Sequence, residues 1–385
     1  MKKLFYSTVC AAAVLLSGCS DTELAHVGSN TQNAIGFHVV GNKMNSRANI
    51  IDSKNITSTD FNVYAYINNE DGTDGAPFMG GNDTGLGNKG INISHKGSDW
   101  AYTTSSDIRY WPTTDTELNF YAVNPGSNRL FSWQFSNTKK EIAYNCFNEY
   151  SVDNFYDDTD GTKKQHMTNP DAMYAVAKKQ TFATSSGKVK FTFKHILSQV
   201  VFKAKTQYDN DMEVDINAVS IHNFKTGGTF TIPEGEPAQS NWTLNKINQA
   251  SGFTVKKVEA GKNIKVSQSN NATDISDGPM LFVPQKLTKW NVATNTAAAN
   301  KAEQSYLKIT CKIKQSGAYL FGSATAYKDL YVPFEADWQP GKRYTYTLIF
   351  GGGYDENGTP ILKPVNFETI GGDWTDETTG GDVAL

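Results

Sequence analysis

The chain has little cysteine, little helical periodicity, only four arginines and no long apolar run beyond its N-terminus, and each shortage excludes something. Setting aside Cys10 and Cys19 near the start leaves Cys146 and Cys311, far apart in sequence and too few for a disulfide framework. Cys311 falls on the apolar side of the alternating run Leu307-Lys308-Ile309-Thr310-Cys311-Lys312-Ile313, which suits a buried free thiol. Without a second spanning stretch, the body is expected outside the bilayer. A net charge of −3 is too mild and too dispersed for a nucleic-acid partner. With 38% hydrophobic and 12% aromatic residues, 385 residues can bury sizeable cores, and the length suits two domains better than one.

Catalytic signatures are equally scarce. Gly85-Leu86-Gly87-Asn88-Lys89-Gly90 spells a dinucleotide fingerprint, but no strand precedes it and no helix opens after it, so it reads as a loop. Asp157, Asp158 and Asp160 precede Gly161, yet an EF-hand register there puts Met167 where a bidentate glutamate belongs, so the stretch reads as a solvated acidic turn. The histidines at 26, 38, 95, 166, 195 and 222 show no zinc spacing. No Gly-x-Ser-x-Gly elbow occurs. His195, in a block rich in strand formers, reads as a packing or hydrogen-bonding residue. The expectation is therefore no enzyme, no metal and no cofactor.

What is present begins at the N-terminus. Lys2 and Lys3 precede a largely apolar stretch over residues 4–16, followed by Leu16-Ser17-Gly18-Cys19. This is the pattern of a secretory signal peptide ending in a lipobox, with small residues before the cut and a thiol to carry the lipid. Residues 1–18 are expected to be removed and residues 19–33 to form a lipidated linker. Loss of the two lysines takes the formal charge from −3 to −5. The two or three palmitate-type chains of such a protein anchor it durably where one alone binds marginally. Ser20, Asp21, Thr22 and Glu23 read either as a solvated linker or as an acidic export tag.

Beyond the linker the dominant period is two, the mark of strands with one buried face. Phe61, Val63, Ala65 and Ile67 share a face before Asn68-Asn69-Glu70-Asp71-Gly72 breaks the run. Similar runs start near Leu118, Met173, Val189, Gln199, Val214, Leu281, Tyr306 and Tyr344. This spacing predicts an all-β chain of two tandem Greek-key β-sandwiches, over residues 34–184 and 185–385 and joined at Thr184-Ser185-Ser186-Gly187. The polar stretch 41–60 reads as an exposed loop between an apolar strand at 34–40 and the Phe61 strand. Within it Arg47 is a candidate site for trypsin-like cleavage, against the plainer reading of a solvated charge. Most aromatics fall on strand positions. Trp100, Trp242 and Trp290, in or near loops, are the candidates for stacking on a glycan.

At Asp107-Ile108-Arg109-Tyr110-Trp111-Pro112 and Leu118-Asn119-Phe120-Tyr121-Ala122-Val123-Asn124-Pro125 the chain resembles the fimbrillin family, the type V pilin-like, Mfa-like surface lipoproteins of Gram-negative anaerobes. The resemblance continues through Pro170 to Ala175, Val189 to Phe202, Thr226 to Phe230, Trp338 to Tyr346 and a late Gly372-Asp373-Trp374. It implies transthyretin-like sandwiches and a pilus subunit or accessory component on the cell surface. It also implies a lipidated precursor, held in the outer membrane through Cys19, whose first strand is removed by a protease. The groove then accepts a strand donated by another pilin subunit. Mapped here, a cut after Arg47 releases lipid and first strand together. The donor is either the tail after Trp374, which carries few apolar residues, or residues 361–370. The alternative function is a non-polymerising surface lipoprotein that binds a host or glycan ligand.

Overall fold

A computed structural model describes residues 33–40, 51, 56–80, 90–112, 115–126, 131–135, 138–146, 156–157, 163–164, 171–207, 211–247, 252–258, 261–276, 278–297, 304–351, 353–362 and 366–373. The signal sequence, Cys19, Arg47, residues 85–89, Asp158 to Gly161 and the tail from Trp374 lie outside them.

The expected strands form, and nearly everything described is strand or turn. In chain order the first half contributes β1 (Gly36–Val40), β2 (Asp60–Asn68), β3 (Asp74–Met79), β4 (Ile91–Lys96), β5 (Asp99–Tyr102) and β6 (Leu118–Asn124). Next come β7 (Phe131–Phe135), β8 (Lys140–Asn145), β9 (Tyr156–Asp157), β10 (Lys163–Lys164), β11 (Met173–Gln180), β12 (Lys188–Thr192) and β13 (Lys194–His195). One sheet runs in the order β12-β1-β5-β4-β2-β6-β11-β13, with β3 hairpinned onto β2. The polar break after β2 is a turn in which Asp71 Oδ1 accepts from Thr73 N at 2.9 Å and Thr73 Oγ1 at 2.6 Å.

The central strands depart from the one-buried-face expectation. On β2, Phe61, Val63 and Ala65 enter a core with Phe120, Phe191 and Ile93, while Tyr64 and Tyr66 on the opposite face enter a second, larger core with Tyr121, Tyr144, Tyr174 and Phe202. The alternation is real, but tyrosine supplies a large apolar ring on the face that the pattern reads as the more polar. A second layer covers it: β8, whose other edge carries β7, pairs with Lys225–Thr231 of the hairpin that Trp242–Ile247 completes, from the other half of the chain. A polar cluster seals this layer. Asp74 takes Lys140 Nζ at 2.6 Å, Tyr121 Oη at 2.6 Å and Asn119 Nδ2 at 2.7 Å. Burial alone would raise the Asp74 carboxyl, but these donors outweigh it and hold it below the ordinary carboxylate value.

The span Thr184 to Gly187, expected to join the two domains, lies in a turn. Residues 181–187 make a tight reversal: a one-turn helix over Phe182–Ser185, capped by Thr181 and Thr184 bonding to each other's backbone, then Ser186 at φ 51° and Gly187 at φ 80°. The left-handed pair turns the chain back onto its own sheet. So β12 pairs with β1 and β13 with β11, and the first sheet extends to His195. Beyond it, Ser198–Thr206 runs parallel to Lys342–Phe350, whose other edge carries Asn366–Asp373. Met212–His222 pairs with Gln304–Gln315 over the larger core. Cys311 sits there as a buried free thiol, as the alternation predicted, and Cys146 is likewise buried and free.

Candidate assembly groove

The first strand of the fold occupies a slot in its sheet. β1 lies between β12, in a parallel ladder from Gly36↔Lys188 to Val40↔Thr192, and β5, which it meets at Phe37↔Trp100. Its side chains alternate. Ile35 and Phe37 are fully buried, Val39 packs partly against the same core, and His38 faces out. The Phe37 ring lies 6.0 Å from Phe191, 6.2 Å from Phe61 and 5.7 Å from Tyr102. Burying Ile35 and Phe37 is worth about 1.5–3 kcal/mol each.

The sequence block around Trp111 closes one end of the slot. Ile35 N donates to Arg109 O at 2.9 Å, and Trp111 N donates to Asn33 O at 2.9 Å. Gly187 O accepts from both Gly36 N at 2.9 Å and Trp111 Nε1 at 3.1 Å. Tyr102 Oη donates to Ile35 O at 3.1 Å, and its burial raises the phenol above its usual range. The tight reversal at Gly187 and the Arg109-Tyr110-Trp111 segment therefore grip the start of β1.

On the far side of the segment that contains Arg47, Ile51 has its own anchor. Ile51 is buried, and its amide donates to Asp171 Oδ2 at 3.0 Å. The same oxygen lies 2.9 Å from His195 Nδ1, so the imidazole packs against this anchor. The two sides of the segment that contains Arg47 are thus held by separate contacts: β1 by its ladder and ring packing, Ile51 by Asp171.

The tryptophan candidates separate. Trp100 is half-buried on β5, 4.9 Å from the Phe61 ring, and forms part of the groove wall. Trp242 and Trp290 are corrections to the stacking expectation. Trp242 is 7% exposed with its Nε1 on Ile196 O at 3.1 Å, and Trp290 is 1% exposed with its Nε1 on Asn295 Oδ1 at 2.8 Å. An indole next to a turn reads as open in sequence, but here Phe230 packs on Trp242 and Tyr306 on Trp290. Of residues 361–370, the other donor candidate, positions 366–370 lie in a strand of the chain's own sheet. Asn366–Asp373 is paired along its length with Lys342–Phe350, so that stretch completes the chain's own sheet. What sequence reasoning missed is the anchoring role of Asp171, which lies in the family-like stretch Pro170 to Ala175 but in no site motif. Among the described residues no group of three His, Cys, Asp or Glu is arranged to hold a metal ion.

The fold is an all-β body whose first strand lies in an apolar slot of its own sheet. The chain belongs to the fimbrillin-like family, whose profile matches residues 46–364. It is 23% identical over 388 residues to the fimbrium subunit Fim1C of Phocaeicola vulgatus, covering 95% of each chain. The fold is shared with a fimbrial protein from Bacteroides vulgatus ATCC 8482, at TM-score 0.55 and 17% identity over 89% of this chain and 100% of that one. A cell adhesion protein from Bacteroides uniformis also aligns, at TM-score 0.43 and 14% identity over 89% of this chain and 99% of that one.

Proposed function

We propose that this chain is a subunit or accessory component of a cell-surface pilus, exported as a precursor lipidated at Cys19 and opened for assembly by a cut after Arg47. The observation that carries this reading is the separable plug: Ile35, just before the five-residue β1, and Phe37 within it fill the core, and the chain beyond the cut region is anchored independently through Ile51 and Asp171. Loss of β1 leaves unpaired backbone on β12 and β5 around an apolar slot, the template for strand addition. The incoming strand needs apolar residues at alternate positions to replace Ile35, Phe37 and Val39. With Asn366–Asp373 committed to its own sheet, the donor is the tail beyond Trp374 or a strand of another subunit.

The test is limited digestion of the precursor with a trypsin-like protease, followed by intact mass and native size. Loss of a fragment ending at Arg47, with a ladder of oligomers that Arg47→Ala abolishes, is the expected result. A clean cut that leaves a stable monomer would overturn assembly by strand exchange.

A further inference from the structure

We infer that the second half of the chain carries a binding cleft for a neutral saccharide, on the outer face of the sheet formed by Met212–His222 and Gln304–Gln315, separate from the β1 groove. The cleft has a volume of about 310 Å³ and is lined by Glu213, Asp215, Lys265, Ser267, Lys314 and Tyr319 among others. That volume lies at the small end of ligand pockets, which run to roughly 1,000 Å³, and suits a small ligand better than a folded partner.

Strand register builds it. Glu213 lies opposite Lys314, and Lys314 opposite Tyr319, so three neighbouring strands present carboxylate, ammonium and phenol in one row on the solvent face. The pairing slips between Ile313 and Lys314, a bulge of the kind that re-aims side chains. Tyr319 is one of the few large aromatics left open, 38% exposed. Its hairpin is fixed: Ser316 N donates to Asp211 O at 2.9 Å, Ser316 Oγ to Asp211 Oδ1 at 2.6 Å, and Gln315 Nε2 to Asp211 Oδ2 at 2.8 Å. An open ring on a pinned hairpin loses little freedom when a ligand docks.

The charges decide the ligand class. Asp215 is paired with Lys265, while Lys312 donates to Ala324 O and lies over the Tyr327 ring. Among the described residues, Glu213, Ser267 and Lys314 have no hydrogen bond or ion pair from their side chains, although the Lys314 ammonium sits 4.9 Å from the Tyr319 ring centre. One free carboxylate, one free ammonium and one hydroxyl beside an aromatic ring suit a polyhydroxylated ring. The carboxylate accepts from adjacent hydroxyls, the ammonium donates to a third, and the sugar's C–H face packs on the phenol. A ligand charged with one sign only would leave one of the two free charges opposed.

The experiment is saturation-transfer NMR on the full chain with methyl α-mannoside, methyl β-galactoside and methyl N-acetyl-β-glucosaminide, with glucose 6-sulfate and spermidine as charged comparators. We expect saturation of ring C–H protons in at least one neutral pyranoside, about tenfold weaker binding in Tyr319→Ala, retention in Tyr319→Phe, and several-fold weakening in Glu213→Gln. Tyr319 is exposed, so Tyr319→Ala leaves the unfolding midpoint in place. No response from any neutral pyranoside, a response that survives Tyr319→Ala, or binding of the charged comparators alone would overturn the inference.

Discussion

Phe37→Ala isolates the energetics of the plug. The ring is 3% exposed and touches Phe61, Tyr102 and Phe191, and replacing such a buried phenylalanine with alanine costs about 3–5 kcal/mol. The cost falls on docking of β1, because Phe61 and Phe191 also pack on one another and on Phe193 without it. At about 1.4 kcal/mol per tenfold, the docked population relative to the undocked one drops by roughly two to three and a half orders of magnitude. Hydrogen exchange reads this directly: amides of β12 that face the β1 ladder, over residues 188–192, should lose protection by that factor, while those of Gln304–Gln315 keep theirs. After protease treatment, the cut fragment should leave faster by a similar factor. His38→Ala on the exposed side of the same strand should move neither by more than about 0.5 kcal/mol. Unchanged protection in Phe37→Ala, or an equal effect from His38→Ala, would refute a plug held by core packing.

Asp74→Ala removes the carboxylate partner of Lys140, whose side chain is only 9% exposed, and should cost about 3–5 kcal/mol in urea unfolding, near the low end because Lys140 also lies over the Tyr66 ring. Because the Asp74 carboxyl is held below its ordinary value, its contribution is complete above the usual carboxylate range and is lost as pH falls through the folded value. His222 is pushed down to about 4 by burial, with Lys308 adding to the effect, so it stays neutral in the fold where the unfolded chain binds a proton. Stability should therefore be full above pH ~6.5 and fall by a few kcal/mol on the way to about 4; His222→Phe, keeping the stack on Tyr306, should flatten that window in unfolding measured at several pH values. Burial raises both thiols, that of Cys146 to about 12, so native protein should label slowly with a maleimide at these two positions and promptly in urea. Prompt native labelling would contradict the packing described.

Local chemistry made much of this legible in advance. The run from Leu307 to Ile313 alternates strictly, and all four apolar members, Leu307, Ile309, Cys311 and Ile313, are buried as that pattern requires. The apolar stretch before residue 41 forms a strand, and the Asp107 to Pro112 block sits where β1 begins. Such features depend on neighbours within a few residues, so a single sequence carries them. Tertiary structure alone decided the rest. That Tyr64 and Tyr66 are buried follows from a layer supplied by β7, β8 and residues 225–247, which no local period announces. Thr184-Ser185-Ser186-Gly187 has a linker's composition, yet Ser186 and Gly187 adopt left-handed angles that fold the chain back, because β12 gains a ladder with β1 there. Trp242 and Trp290 are covered by Phe230 and Tyr306 on neighbouring strands, whereas Tyr319 stays open on the solvent side of a strand whose Phe321 enters the core. Alternation along a strand is set by backbone geometry and is readable residue by residue. Which face is covered, and by what, is set by pairings across a hundred residues or more, whose register is fixed only when the sheets close.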